Sequence, residues 1–128
     1  MAITRHMDPP NKLTVLTAIG ELTFEDLKGI IEDFKNDPPP KGFNILWDFR
    51  EAHPADSFRS DSTGGIASLF KKRIGSKTYR KTAYVASSGL MYGMCRMYLS
   101  QLEIEGVTRS TMVFHEMDEA LKWLNEDE

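Results

Sequence analysis

The chain predicts a single α/β domain built on a mainly parallel sheet. Three observations lead there. Strand-like and helix-like periods alternate several times along the 128 residues, and the connections between them are short. The stretch Phe43-Asn44-Ile45-Leu46-Trp47-Asp48-Phe49 is nearly all apolar, as a central strand covered on both faces requires. No repeat, linker or low-complexity tract divides the sequence, whose length suffices for one core without metals or disulfides.

Each element has its own signal. Ala2 to Met7 reads as an edge strand, turned by Asp8-Pro9-Pro10-Asn11 into a β-branched and apolar strand, Leu13 to Ile19, which Gly20 is expected to break. Thr23 is placed to cap the first helix, with Asp26 returning the bond, and Phe24, Leu27, Ile30, Ile31 and Phe34 form one buried stripe. Pro38-Pro39-Pro40 ends that helix, because prolines lack the donor and disfavour α conformation before them. After the Phe43–Phe49 strand, a loop is expected over Arg50 to Ser60. A second helix then starts near Asp61-Ser62 and buries Ile66, Leu69, Phe70 and Ile74 before Gly75. Thr82 to Ala86 is a strand, Ser87-Ser88-Gly89 turns into a helix over Leu90 to Leu102, Thr111 to His115 is a strand, and Met117 to Leu124 closes as a helix. Right-handed crossovers follow from such strand–helix units, and the N-terminal hairpin makes the sheet mixed. The expected core includes Ile45, Leu46, Trp47, Val85, Phe114 and Leu121.

Charge is distributed unevenly. Lys71, Lys72, Arg73, Lys77, Arg80, Lys81 and Arg96 fall in a stretch, Ser62 to Leu102, that contains no carboxylate, although the net charge is −3. Such a field suits an anionic lipid surface, a phosphorylated ligand or an acidic partner. The negative total and sparse basic-aromatic interleaving speak against nucleic acid. A lone cysteine, Cys95, suits a reducing compartment, and reads as a small buried hydrophobe. No apolar stretch is long and unbroken enough to span a membrane, and Met1 to Pro10 lacks a secretion signal. A cytoplasmic protein is expected, peripheral at the inner membrane face where it meets lipid.

Several stretches together resemble a known family: Phe43 to Arg50, Ala83-Tyr84-Val85-Ala86, Tyr92-Gly93-Met94-Cys95-Arg96-Met97-Tyr98, and Val113 to Leu124. In that order and spacing they resemble the SpoIIAA-like family of small bacterial proteins, which share the STAS fold and are akin to CRAL-TRIO lipid-binding domains. The resemblance runs from about Leu13 to Leu124. It implies a four- or five-stranded mixed sheet carrying about four helices, and non-enzymatic roles: lipid or amphiphile binding, membrane association or partner regulation. Asp61-Ser62-Thr63-Gly64 is similar to the stretch that anti-sigma-factor antagonists carry at the same junction, where the first hydroxyl residue is phosphorylated; Ser62 matches it. A helix N-cap explains Ser62 equally well.

The expected contacts for lipid or amphiphile are Leu69, Phe70, Lys71, Lys72, Arg73, Met91, Met94 and Arg96. In this reading the cations hold headgroups, while Leu69, Phe70 and Met91 meet acyl chains. Met91, Tyr92, Met94, Met97, Tyr98 and Leu102 make the third helix soft and aromatic, which fits either core or an adaptable ligand wall. Gly89 and Gly93 leave room for close packing or for a ligand tail. His53 with Asp48, Asp56 and Asp61 is the remaining candidate for hydrolysis or metal binding, but no zinc-type, nucleophile-elbow or phosphate-loop pattern accompanies it. No enzyme, cofactor or metal is therefore expected. A regulatory protein partner acting at Ser62, or a homodimer, is the alternative to a lipid partner.

Overall fold

A computed structural model describes residues 3–56, 58, 60–73, 81–106 and 110–126. Five strands and four α-helices alternate: β1 (Ile3–Asp8), β2 (Leu13–Leu22), α1 (Phe24–Asn36), β3 (Asn44–Pro54), α2 (Ser60–Arg73), β4 (Lys81–Val85), α3 (Gly89–Ile104), β5 (Ser110–Phe114) and α4 (Met117–Asn125). The sheet order is β1-β2-β3-β4-β5, antiparallel at β1–β2 and parallel elsewhere. Successive crossovers that step in one direction with one hand leave their helices on a single face. Accordingly α1, α2 and α3 pack on one side with Leu16, Ile45, Phe49 and Tyr84, while α4 covers Leu46, Ala83 and Val85 on the other.

Local chemistry explains the boundaries. Thr23 Oγ1 accepts from the Asp26 amide at 3.1 Å and Asp26 Oδ2 accepts from the Thr23 amide at 3.0 Å, so the expected cap is a reciprocal capping box. Ser88 caps α3 in the same way, its Oγ accepting from the Met91 amide at 3.1 Å. Ile30, Ile31 and Phe34 are buried, with Phe24 and Leu27 packed beside them, as the stripe predicts. Ile45, Leu46 and Val85 are buried; Trp47, Phe114 and Leu121 are half-buried against the same clusters.

Two strands outrun their sequence signals. Gly20 does not end β2: at φ +80° it carries the chain on to Leu22, in a conformation other residues resist. Nor is Arg50 to Pro54 a loop, because these residues continue β3 alongside Ile19 to Leu22. The register explains how. Thr17 pairs with Asp48 but Ile19 pairs with Glu51, so β3 carries an extra residue opposite Ala18. This bulge shifts the side-chain alternation: Ile45, Trp47 and Phe49 face α1–α3, and beyond the bulge Ala52 does. The Arg50 amide at the bulge donates to Asp48 Oδ1 at 3.1 Å.

Candidate functional site

On the sheet, alternate positions of β3 project Ile45, Trp47 and Phe49 toward the three helices, and β4 adds Thr82 and Tyr84. The rings form a layer. Trp47 stacks on Phe49 with centroids 5.3 Å apart and on Tyr84 at 6.4 Å, and Tyr98 of α3 meets Tyr84 edge-on at 6.0 Å. Above this floor lie Leu27, Ile31 and Phe34 of α1, Ile66 and Phe70 of α2, and Met91, Met94, Cys95, Tyr98 and Leu102 of α3. Floor and roof do not close completely. A cavity of about 70 Å³ remains between them. Among the described residues its wall contains no carboxylate, imidazole, amine or guanidinium; Trp47, Thr82, Tyr84 and Tyr98 are the lining residues that carry polar groups. Phe58, Phe70, Trp47, Met94 and Tyr98 are only half-buried, so the chamber lies close to solvent on one flank.

Two glycines of α2 set how near the roof sits. A Cβ on Gly65 would lie 3.0 Å from Cε2 of Phe24, and one on Gly64 would lie 3.4 Å from Oε1 of Gln101. Bare backbone thus lets α2 wedge between α1 and α3. Gly89 and Gly93, expected to allow close packing or to leave room for a ligand tail, have nothing within 4 Å of the position a Cβ would occupy and face solvent, away from the cavity.

The structure divides the expected contact residues. Met91 is buried and Met94 half-buried, and both line the cavity. Leu69 and Phe70 turn inward against the core, because Ile66, Leu69 and Phe70 share one helical face directed at the sheet. Phe70 and Met91 therefore border the interior cavity, and Leu69 packs on the core beside it without lining it. Lys71, Lys72 and Arg96 are exposed. Ser62 lies in the first turn of α2, since that helix begins at Ser60; the side chains of Ser62 and Arg73 lie outside the described residues, as do Ile74, Gly75, Lys77 and Arg80.

Among the described residues the cations do not converge. Ser68 Oγ donates to Glu105 Oε2 at 2.8 Å and Gly64 abuts Gln101, so α2 and α3 run parallel with these levels matched. Lys71 and Lys72 lie past the end of α3, whereas Arg96 is level with the start of α2, about 18 Å away at 1.5 Å per residue. Glu105 also brings a carboxylate within a turn of Lys71 and Lys72. Lys81 belongs to the interior: it is 5% exposed and its amine donates to the carbonyls of Trp123 at 2.7 Å and Glu126 at 2.8 Å. The sequence hid this role inside a basic run.

Titratable groups elsewhere are committed or separate. Burial would raise the Asp48 carboxyl, but hydrogen bonds from the Arg50 guanidinium and amide, with its charge, hold it below the usual carboxylate range. The bidentate pair closes at 3.0 and 2.9 Å. Burial alone pushes the Cys95 thiol up to about 12, which keeps it neutral. Among the described residues no three His, Cys, Asp or Glu side chains are grouped to hold a metal. His115 stacks on Tyr92 at 3.8 Å, and His53 is exposed.

No family model matches the chain, and no curated protein is similar to it in sequence. Solved structures do match. A protein of the DUF3478 family with a SpoIIAA-like fold, from Shewanella loihica, superposes with a TM-score of 0.54 over 96% of this chain and 92% of its own, at 15% identity. The anti-sigma factor antagonist SpoIIAA in its unphosphorylated form gives 0.50 at 17% identity, covering 98% of this chain and all of that one. The phosphorylated form of the Bacillus cell fate determinant SpoIIAA gives 0.52, again at 17% identity, over 97% of this chain and 100% of its own. The chain has the SpoIIAA-like STAS fold, as the sequence resemblance implied. No helix among the described residues is long and apolar enough to cross a membrane.

Proposed function

We propose that the domain is a binding module, without chemistry of its own, that holds the apolar part of a small amphiphile between the sheet and α1–α3. The observation that carries this reading is the apolar wall, built from Trp47, Phe70, Met91, Met94 and Tyr98 around about 70 Å³ of space. A ligand that fills this space removes apolar wall from contact with water, which favours its binding. The volume is about half that of a cavity known to admit benzene, so a tail of more than a few carbons enters only as the flexible methionines and the half-buried Phe70 and Tyr98 move aside. Phe70 lines the chamber and Lys71 and Lys72 follow it on the solvent side, which favours an anionic end there. A peripheral membrane encounter is the natural source of such a ligand.

The test is a fluorescence titration with decanoate and with decanol, using Trp47 as reporter in a Trp123→Phe background. Saturable spectral change with both ligands is expected. Cys95→Leu, which fills the chamber, should abolish it in a protein that still folds, and Lys71→Glu with Lys72→Glu should weaken decanoate alone. A flat titration, together with no lipid in an organic extract of the purified protein, would sink the proposal.

A second reading makes Ser62 a phosphorylation switch for a protein partner. Two observations favour it: Ser62 falls in the first turn of α2, where backbone amides and the helix dipole receive a phosphate well, and a phosphorylated SpoIIAA shares the fold. Intact-mass analysis after incubation with ATP and cell extract should then show one added phosphate, lost in Ser62→Ala. Persistent absence of the added mass removes this reading.

A further inference from the structure

The outer side of α3 has a pattern that its buried side does not explain. Leu90, Met97 and Ile104 recur at seven-residue spacing and are 65%, 37% and 74% exposed. Between them on the same stripe stand Gly93 and Ser100, both exposed, and beside it Arg96 and Glu103. In heptad terms Leu90, Met97 and Ile104 occupy a positions, Gly93 and Ser100 occupy d, and Arg96 and Glu103 occupy g. These positions are the exposed arc of the helix; Met91, Cys95 and Leu102 are buried and Tyr98 and Leu99 pack inward. Such a stripe, two positions wide, is the dimension of a helix–helix seam, narrower than the broad apolar face of a helix lying in a membrane interface.

We propose that this stripe is a self-association surface on which a second copy of the chain lays its own α3 antiparallel across a two-fold axis. The occupant is specified by complementarity. In an antiparallel seam a positions meet d positions, and g positions meet g. One register satisfies four of the five seam positions at once: Met97 lies over Ser100 of the second copy, Ile104 over its Gly93, and Arg96 opposite its Glu103, while Leu90 reaches past the end of the facing α3. Large residues thereby cover small ones, and nothing within 4 Å obstructs the space beside Gly93. The two-fold repeats the Arg96–Glu103 pair, so both charges on each helix find an opposite one. Neither side chain makes an ion pair or hydrogen bond among the described residues of its own chain. A helix pair of this length spans about 24 Å, and lies at the small end of specific interfaces, below about 1,200 Å². Association is therefore weak and reversible.

Sedimentation equilibrium from about 1 µM to about 1 mM covers the relevant affinities. A reversible monomer–dimer equilibrium that weakens with salt is expected. Arg96→Glu and Glu103→Arg should each weaken it at least about tenfold, and the double reversal should restore it, which isolates the pair. Gly93→Leu should prevent dimerisation while thermal unfolding of the dilute monomer stays unchanged or improves. A chain monomeric at every concentration, a dimer indifferent to these substitutions, or a double reversal without recovery would overturn the proposal. So would a monomer whose sedimentation with anionic vesicles is lost on Leu90→Lys with Ile104→Lys, which would assign the stripe to lipid.

Discussion

Lys81 and Trp123 are joined twice: the amine donates to the Trp123 carbonyl at 2.7 Å and lies 5.0 Å from the centre of its ring. The same amine takes the Glu126 carbonyl, and Asn44, the neighbour of Lys81 in the sheet, donates from Nδ2 to the Leu124 carbonyl at 3.0 Å. A helix C-terminus leaves its last carbonyls unpaired and partly negative. Side chains of β3 and β4 therefore satisfy the end of α4, and fix that helix over Leu46, Ala83 and Val85.

Replacing Lys81 by Met keeps the stem and removes the donor. The expected loss is about 2 kcal/mol, from the two charge-assisted hydrogen bonds that the amine gives to the end of α4. Urea unfolding gives the magnitude, and hydrogen exchange should show protection falling first in α4. Equal loss of protection throughout the domain would contradict a local latch.

Two helix glycines should respond oppositely. Gly29 in α1 has open space, so Gly29→Ala is expected to stabilise by about 0.5–1 kcal/mol through helix propensity. At Gly65 a larger side chain meets Phe24, and Gly65→Leu should destabilise by about 1–3 kcal/mol through overpacking. Phe24→Leu should recover part of that loss, as measured by thermal denaturation of the double variant.

The Asp48 carboxyl is held below its ordinary value in the folded protein. Its contribution is therefore present above the unfolded value, near 4 as an ordinary aspartate at about 3.9, and disappears as pH falls through the folded one. Arg50 is exposed enough for water to screen the pair, so the contribution is about 0.5 kcal/mol. Asp48→Asn should lower stability at pH 7 by that amount and flatten the acid limb of the pH–stability curve. An unchanged acid limb would show that the pair is energetically silent.

Cys95 should resist thiol reagents at pH 8, because its thiol is buried and pushed up to about 12. Labelling should follow opening of the α3–sheet contact and slow further when decanoate fills the chamber. Rapid labelling of the native protein with Ellman's reagent would show that the wall near Cys95 is open.

Much of this fold was legible along the chain, for reasons visible in single residues. Thr23, Asp26 and Ser88 announce helix starts through local chemistry, and the Phe24–Phe34 stripe has one period throughout. The long β3 was not legible beyond Phe49. Arg50, Glu51 and His53 are exposed and polar, and a bulge resets the alternation that would have marked them as strand. The cavity could be read in part, from Phe70, Met91 and Met94. Its floor depends on β3 and β4 lying in register, which places Trp47 beside Tyr84. Lys81 illustrates the opposite limit. Beside Arg80 it reads as solvated charge, and only the folded position of α4 makes it a buried donor. The acid-free stretch likewise loses its meaning once Glu105 is folded against Ser68.

Because strand order follows chain order, the sheet can be assembled from one edge as the polypeptide leaves the ribosome, each parallel strand joining a neighbour already made. The first face gains its helices during this growth, since α1, α2 and α3 emerge between strands. The second face waits for α4. Until Met117–Asn125 is synthesised, Leu46, Ala83 and Val85 have no cover, and Asn44 and Lys81 are already in place with nothing to hold. Assembly in that order passes through a nearly finished sheet with one bare apolar side, the kind of form most exposed to chaperone capture.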